Sequence, residues 1–417
     1  MEPAENMKID IPYGKSSIPL ELKDGRPVDI VSPRETPHNE STVEKSLLNP
    51  QDCPDLVTFL SGRKKILVVI NDHTRPTPTS DVLKRLDLKE KEVTTIVASG
   101  THRAPSAREL DGLLGGSNPS YGGKVTLHDS NDKSQLKSIG RTSRGTELQF
   151  NKHVFDADGI IVVGSVEPHY YAGFTGGRKF LLPALAGFRS IEMNHSLALD
   201  ERSTILRLEG NPVHEDFMEA LEIFDRYDDI FSIQLVLNRH HQISHALSGH
   251  VVHSFNSAVE RAKEIYVAPV ETKADVIVTI ATQPMDLDLY QAHKAIENVK
   301  LALKDRGLII LVSPCLDGVG LRSFYDLLAQ GDSVNALNIT RETYRLGFHK
   351  AAKLAQLLKE ARIFAVTNLQ PGTLRTIGIT PFEDVQSAVD EASKLKGVDS
   401  RILVVLDGCL TVPVPTS

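Results

Sequence analysis

The sequence predicts two α/β domains with mostly parallel sheets. Uninterrupted apolar runs of four or five residues recur along the chain, as strands covered on both faces require. Each run is followed by a turn and then an amphipathic segment, the order from which parallel sheets are built. The alternation resumes after a break near residue 270, and 417 residues exceed one ordinary core, so the chain reads as domains 1–270 and 271–417.

In chain order, residues 8–12, 18–22 and 28–31 are short extended pieces broken by Gly14 and by the Asp24-Gly25 turn signal, suggesting a small β-rich edge. Ile66-Leu67-Val68-Val69-Ile70 is the first fully buried strand, after which Thr77 is expected to N-cap a helix with Pro78 at its first position. Residues 93–98 form the next strand; beyond the loop carrying His102, Ser106 and Glu109 make a capping box and Gly115-Gly116 ends the helix. Residues 160–163 are a third strand that runs into a loop at 164–177. Residues 180–186 have helical character, which Pro183 should kink or end. A helix at 257–266 precedes the boundary at 269–273. Beyond it, strands at 276–280, 308–312, 363–366 and 402–406 alternate with amphipathic segments at 289–304, 344–361 and 381–395. There is no sequence repeat or low-complexity tract.

Hydrophobic residues at 41% and charged ones at 24% are ordinary for a soluble globular protein. A net charge of −7 provides no large basic field, so neither nucleic acid nor an anionic membrane is an expected partner. Cys53, Cys315 and Cys409 are far apart with no CxxC spacing, which argues against a disulfide framework or a thiolate zinc site and makes the cytoplasm the expected location. The N-terminus is polar and acidic, and no apolar run reaches the roughly eighteen residues a membrane span needs.

Chemistry-bearing residues gather where strands hand over to loops, the place where open α/β sheets bind their ligands. Asp72-His73-Thr74-Arg75-Pro76 follows a buried strand, so its amides and Arg75 can face a phosphate or carboxylate; the alternative is a polar turn with a solvated arginine. His102, between Thr101 and Arg103, is a candidate acid or base because an imidazole's ordinary pKa of about 6.5 lets it exchange protons at neutral pH. A histidine bonded to the loop backbone is the bland alternative. His169 is similar, with Pro168 before it and Tyr170-Tyr171 after it shaping a partly apolar wall.

The stretch from Gly173 through Gly176-Gly177-Arg178-Lys179 approaches a phosphate cradle but fails the Walker spacing, since Phe180 stands where Ser or Thr belongs; the Rossmann pattern fails too. What remains is a lysine followed by Phe180, Leu181 and Leu182, a setting that can desolvate the amine and make it nucleophilic. A lysine at a helix start also opposes the macrodipole and wants a reason. His195 is a candidate imidazole metal ligand. The histidines at 240, 241, 245, 250 and 253 match neither HExxH nor a finger, and read as a solvated hairpin and helix start. In the second domain, Asp288-Leu289-Tyr290-Gln291 opens a helix on which Tyr290 and Lys294 share a face at i, i+4 with Gln291 beside them, a face able to bind a carboxylate or simply the start of an amphipathic helix.

Together these segments, with Ser99-Gly100-Thr101-His102-Arg103, Glu167-Pro168-His169-Tyr170-Tyr171-Ala172-Gly173 and Asn194-His195, resemble the nickel-pincer lactate racemase family across both domains. The resemblance implies a racemase or epimerase of a small 2-hydroxy acid. It implies a nickel(II) pyridinium bis-thiocarboxylate mononucleotide, the nickel-pincer nucleotide, covalently attached to Lys179 with His195 as a nickel ligand. It also implies cofactor-biosynthesis enzymes as maturation partners. By the same resemblance His102 and His169 are the acid/base pair, and Asp72, His73, Thr74, Arg75, Gly176 and Gly177 line the cofactor. Arg75 also polarises the reacting oxygen, and Tyr290, Gln291 and Lys294 meet the substrate.

That chemistry suits the residue types. Abstracting the unactivated C–H beside a carboxylate is very costly for a histidine base, and moving hydride avoids the carbanion. Each histidine must then act as base in one direction and acid in the other. Two readings from other classes stand beside it: a hydrolase or lyase using a conventional metal with His102, His169 and His195, and a non-catalytic cofactor-binding protein. His293, beside Lys294, is a position expected to influence the length or polarity of the substrate. An active-site cleft between the two domains is expected, with a hinge near 269–274.

Overall fold

Alternate residues of the first buried strand enter two different cores: Ile66, Val68 and Ile70 pack on one face of a sheet, Leu67 and Val69 on the other. That two-sided burial is why the run carries no polar alternation. The computed structural model describes residues 7–22, 25–39, 41–330, 336–339 and 342–416. The chain divides into two compact units, one made of residues 34–265 and the other of 1–33 with 266–417.

In the 34–265 unit the strands run in the order Ile243–Gly249, Ile230–Leu237, Gly159–Ser165, Lys65–Asn71, Glu92–Ala98, Lys124–Leu127. All neighbours are parallel except the first pair, an antiparallel hairpin. From Lys65–Asn71 the chain adds two strands on one side, then crosses to add Gly159–Ser165 on the other. The order therefore reverses between these two central neighbours, and ligands bind outside the carboxyl ends of strands at such a reversal. Asp72 follows one of these strands and Val166-Glu167 the other.

Several expected local features are present. Ser106 caps the helix Ala107–Leu114 in a capping box with Glu109, and Gly115 closes it at φ 75°. The expected Thr77 cap is not formed: the short helix Thr79–Leu83 has Pro78 at its cap position. The Thr77 hydroxyl instead accepts from Asn71 Nδ2 at 2.9 Å and meets Ser165 Oγ at 3.1 Å, tying together the ends of the two central strands. Residues 180–186 are not an α-helix. A 3-10 turn, Gly177–Phe180, is followed by turns, because Pro183 has no amide to donate, and the α-helix begins only at Phe188–Ser196.

In the other unit six strands are all parallel, in the order Thr380–Phe382, Arg362–Val366, Leu303–Val312, Ala274–Ile280, Ile402–Val405, Val28–Val31. The hairpin Met7–Tyr13 with Ser16–Leu22 turns at Gly14 (φ 61°) and buries Ile9, Ile11, Leu20 and Leu22 in a core with Val276, Val278 and Ile310. Residues 7–22 and 25–33 thus belong with the C-terminal sheet rather than with a 1–270 domain, because Val28–Val31 pairs with Ile402–Val405. The other junction lies at 265/266. Of the Asp24-Gly25 turn signal, Asp24 lies outside the described residues, as do the first six residues of the polar N-terminus.

Among the described residues no helix is long and apolar enough to cross a membrane.

Candidate active site

Asp72 leaves the strand Lys65–Asn71 almost wholly buried, at 4% exposure. Its Oδ1 accepts from the Thr74 amide at 2.9 Å and from Thr74 Oγ1 at 2.6 Å, an Asx-type turn that fixes the carboxylate. Its Oδ2 lies 2.6 Å from His102 Nδ1. His102 is brought there from the end of the neighbouring strand: Gly100 takes φ 55° and donates its amide to Ala184 O at 3.0 Å, and the His102 amide bonds Ser99 O. A carboxylate on Nδ1 keeps the proton on that nitrogen and leaves Nε2 as the basic one. The His102 side chain is 41% exposed, so Nε2 is open to a substrate.

Burial alone would raise the Asp72 pKa, but the His102 hydrogen bond and charge, with Thr74 and Arg75, bring it down to about 2. A folded value near 2 against 3.8 unfolded contributes about 2 kcal/mol of stability. The contribution is complete above the unfolded value and is lost as pH falls from about 4 to 2. In urea unfolding, Asp72→Asn should therefore be less stable than wild type at pH 7, with the difference shrinking below pH 4 and nearly gone at about pH 2; a constant difference across that window would contradict the linkage.

Arg75 ends the same turn, with its Nη1 3.2 Å from Glu167 Oε1. His73 points the other way, its Nε2 3.8 Å from Glu109, which also takes Arg103 through two bonds at 2.8 and 2.6 Å.

Glu167 opens a small hairpin, Pro168–His169 against Gly173–Phe174, closed at its base by Thr175, whose amide donates to Glu167 O and whose hydroxyl accepts from the Glu167 amide, both at 2.9 Å. His169 Nδ1 accepts the Ala172 amide at 3.3 Å. Its ring stacks on Tyr170 and meets Tyr171 edge-on at 4.5 Å between centroids, and Tyr171 in turn meets His195 at 5.4 Å. The expected shaped wall is this aromatic run. Arg178, at 1% exposure, holds the hairpin from beneath: it donates to Ala172 O at 2.9 Å and Gly176 O at 3.2 Å and lies 4.3 Å from the Phe255 ring. Burial lowers its pKa to about 9, which still leaves it cationic at neutral pH.

Lys179 lies on the 3-10 turn rather than at an α-helix start, so the macrodipole conflict does not arise. It is half-buried, with its amine 5.9 Å from the Phe217 ring. The preceding glycines are required by space. A Cβ on Gly176 (φ 81°) would stand 2.6 Å from Gln234 Oε1, which accepts the Gly177 amide at 2.9 Å, and a Cβ on Gly177 (φ 52°) would stand 2.6 Å from Phe255 Cγ. Gly177→Ala combines left-handed strain with overpacking and should cost about 2–4 kcal/mol, read as a lowered Tm; an unchanged Tm would show that Phe255 gives way freely.

His195 sits on Phe188–Ser196, whose end is anchored through Asn194 Nδ2 to Asp216 Oδ2 at 2.8 Å; Asp216 also accepts from Thr142 and Thr146 at 2.6 and 2.8 Å. Burial first, then the charges of Lys179 and His102, hold the His195 pKa at about 3. The imidazole is therefore neutral, the form that ligates metals. The same influences show that His102, Lys179 and His195 lie within electrostatic reach of one another.

In the other unit, Asp288 caps the helix Leu289–Val299 through the Gln291 amide at 2.7 Å, so the expected Tyr290, Gln291 and Lys294 spacing is helical. Lys294 Nζ lies 3.1 Å from Met285 Sδ, and the Lys350 amine sits 3.6 Å from the Tyr290 ring centroid. His293 is fully buried, 3.7 Å from Glu297 and packed near Phe324, so it belongs to the core and does not line a substrate surface.

Among the described residues no group of three or more His, Cys, Asp or Glu side chains is arranged to hold a metal ion, and His102, His169 and His195 form no such set. The histidines at 240–253 are dispersed on a hairpin and helix: His253 pairs with Asp52 at 2.7 Å and His250 stacks on Tyr227. Sequence reasoning gave no role to Glu167 or Arg178 and did not find Asp216 or Gln234. A charged residue inside a Gly-rich, apolar stretch was the available signal for Arg178.

An α/β unit thus gathers an Asp-oriented histidine, a second histidine in an aromatic wall, a buried neutral imidazole and a lysine near one set of strand ends, groups of the kind enzymes use. The chain belongs to the lactate racemase family: residues 13–205 match the lactate racemase N-terminal domain and 269–413 the C-terminal domain. It is 30% identical over 421 residues to lactate racemase of Thermoanaerobacterium thermosaccharolyticum, covering 96% of this chain and 97% of that one. It is 29% identical over 419 residues to lactate racemase of Lactiplantibacillus plantarum, covering 96% and 98%. The lactate racemase apoprotein structure from T. thermosaccharolyticum superposes with a TM-score of 0.89 at 28% identity, covering 98% of this chain and all of that one. A Thermotoga maritima protein shares the fold at TM-score 0.69 and 18% identity, covering 91% and 100%. The protein is an isomerase of the racemase type.

Proposed function

We propose that this protein racemises or epimerises a small 2-hydroxy acid by reversible hydride transfer to a nickel-pincer nucleotide carried on Lys179, with His102 and His169 as acid and base. The observation that carries the reading is the Asp72–His102 pair at 2.6 Å, set within electrostatic reach of Lys179 and of an imidazole kept neutral by burial.

The residues present fit such a cofactor. His195 is a neutral nitrogen donor of the kind nickel accepts, and Lys179 is a partly desolvated amine. When bound, the group supplies a two-electron sink that takes up and returns a hydride. The chain supplies the proton chemistry: His102 Nε2 removes the hydroxyl proton of one enantiomer while Asp72 stabilises the resulting imidazolium. Arg75 donates to the same oxygen as it becomes a carbonyl, and His169 serves the opposite face. Tyr290, Gln291 and Lys294 are proposed as contacts for the substrate carboxylate. We read the protein as cytoplasmic and matured by cofactor-biosynthesis enzymes.

The test is expression with those enzymes, intact-mass analysis, and chiral chromatography over lactate, malate, hydroxyglutarate, aromatic and sugar acids. The proposal expects an adduct on Lys179, racemisation of at least one acid, and no quantitative entry of solvent deuterium at the stereocentre. Bound zinc with unmodified lysine favours a hydrolase, an adduct without turnover favours a cofactor carrier, and solvent deuterium washing fully into the stereocentre rejects hydride transfer.

A further inference from the structure

We infer that Glu167 is a positioning residue that holds the Arg75 guanidinium by one nitrogen and denies it to the substrate's carboxylate, so that a 2-hydroxy acid meets Arg75 through its hydroxyl oxygen. This rests on the proposed function and adds the orientation of the substrate at that arginine.

Two features of the geometry support it. Glu167 is nearly buried, with its backbone fixed on both sides by Thr175, so its carboxylate is a rigid reference point at the root of the hairpin that carries His169. The contact to Arg75 is single, Nη1 to Oε1 at 3.2 Å, and among the described residues Arg75 makes no other side-chain hydrogen bond. A guanidinium has five donors, so one is spent on holding and the rest remain for a ligand.

What those donors accept is decided by charge. Glu167 occupies one N–H of Nη1, and an incoming carboxylate would have to pair through the donors that remain, beside that negative charge. The negative charge of Glu167 repels a second carboxylate from those nitrogens. A hydroxyl or carbonyl oxygen carries no full charge and is not excluded. Asp72, bonded to His102 and close enough to feel the Arg75 charge, adds to the same discrimination. The arginine is thereby reserved for the oxygen that changes between alcohol and ketone.

The test uses cofactor-loaded enzyme and four variants: Glu167→Ala and Glu167→Gln, each in the wild-type and Arg75→Ala backgrounds, with adduct mass and nickel content confirming that each is folded and loaded. Glu167→Ala releases Arg75, and kcat/KM should fall by about 10- to 100-fold. In the Arg75→Ala background the same change should cost less than about twofold, because it has nothing left to act through. Glu167→Gln keeps an acceptor on Nη1 but not the charge. Carboxylate misbinding then traps substrate unproductively without altering the barrier from free enzyme, so kcat and KM should fall together by about threefold or more while kcat/KM stays within about twofold.

Additive losses in the two backgrounds overturn the positioning role. A glutamine variant as damaged as the alanine one, or indistinguishable from wild type, overturns the exclusion of carboxylate. If loaded wild type racemises no acid in the panel, the functional reading fails and the inference with it, an outcome separate from either of these.

Discussion

Replacing Lys179 with alanine is expected to leave the protein folded, without a covalent adduct, and with racemase turnover reduced by at least about 10⁴-fold, because under the proposed mechanism a Lys179-bound cofactor carries the step that side chains cannot perform. Lys179 projects from a four-residue 3-10 turn with its amine near the Phe217 ring, so its removal opens no large core cavity. The sharper variant is Lys179→Arg. Arginine preserves the positive charge but stays protonated and is no nucleophile. If the lysine acts covalently, both variants fail alike and intact mass shows no adduct. If its charge alone matters, arginine restores turnover, and the tether is wrong.

The second large effect is expected at the Asp72–His102 pair. His102→Ala should lower kcat by about 10² to 10⁴-fold, the usual span for loss of a general acid–base group. Asp72→Asn should cost about 10²-fold or more with His102 still in place, because an amide can donate to Nδ1 and thereby favour the tautomer with its proton on Nε2, the wrong nitrogen for a base. Chiral assay of both variants in both directions is the measurement. Since two enantiomers are equal in free energy, kcat/KM for a racemised acid must fall equally from either side; near-wild-type turnover by His102→Ala would remove this histidine from the mechanism.

Local features of the fold were readable where one principle dominates. The strand at 66–70 is written in continuous apolar residues because both faces are buried, and the Ser106–Glu109 capping box is a motif complete within four residues. Thr77 has the composition of a cap, yet its hydroxyl is more useful between Asn71 and Ser165, a competition that only the folded neighbours reveal. The same holds for the site. His102 was identifiable as a titratable group in a strand-end loop, but the carboxylate that orients it comes from another strand. Glu167 and Arg178 look like ordinary surface charges in a string of letters; their burial against Arg75 and against backbone carbonyls is a property of the hairpin. His293 went the other way: its place beside Lys294 suggested a shared role, whereas adjacent helical positions point to different sides, and it lies in the core.

The strand Val28–Val31 pairs, among the described residues, with Ile402–Val405, which is made only after the whole of the other unit. On a ribosome the residues between them, 34–265, form a contiguous unit that emerges and can close its own sheet while that early strand still waits unpaired. Limited proteolysis of nascent chains should therefore find 34–265 protected first, with residues 28–31 cleavable until residues 402–405 have been made.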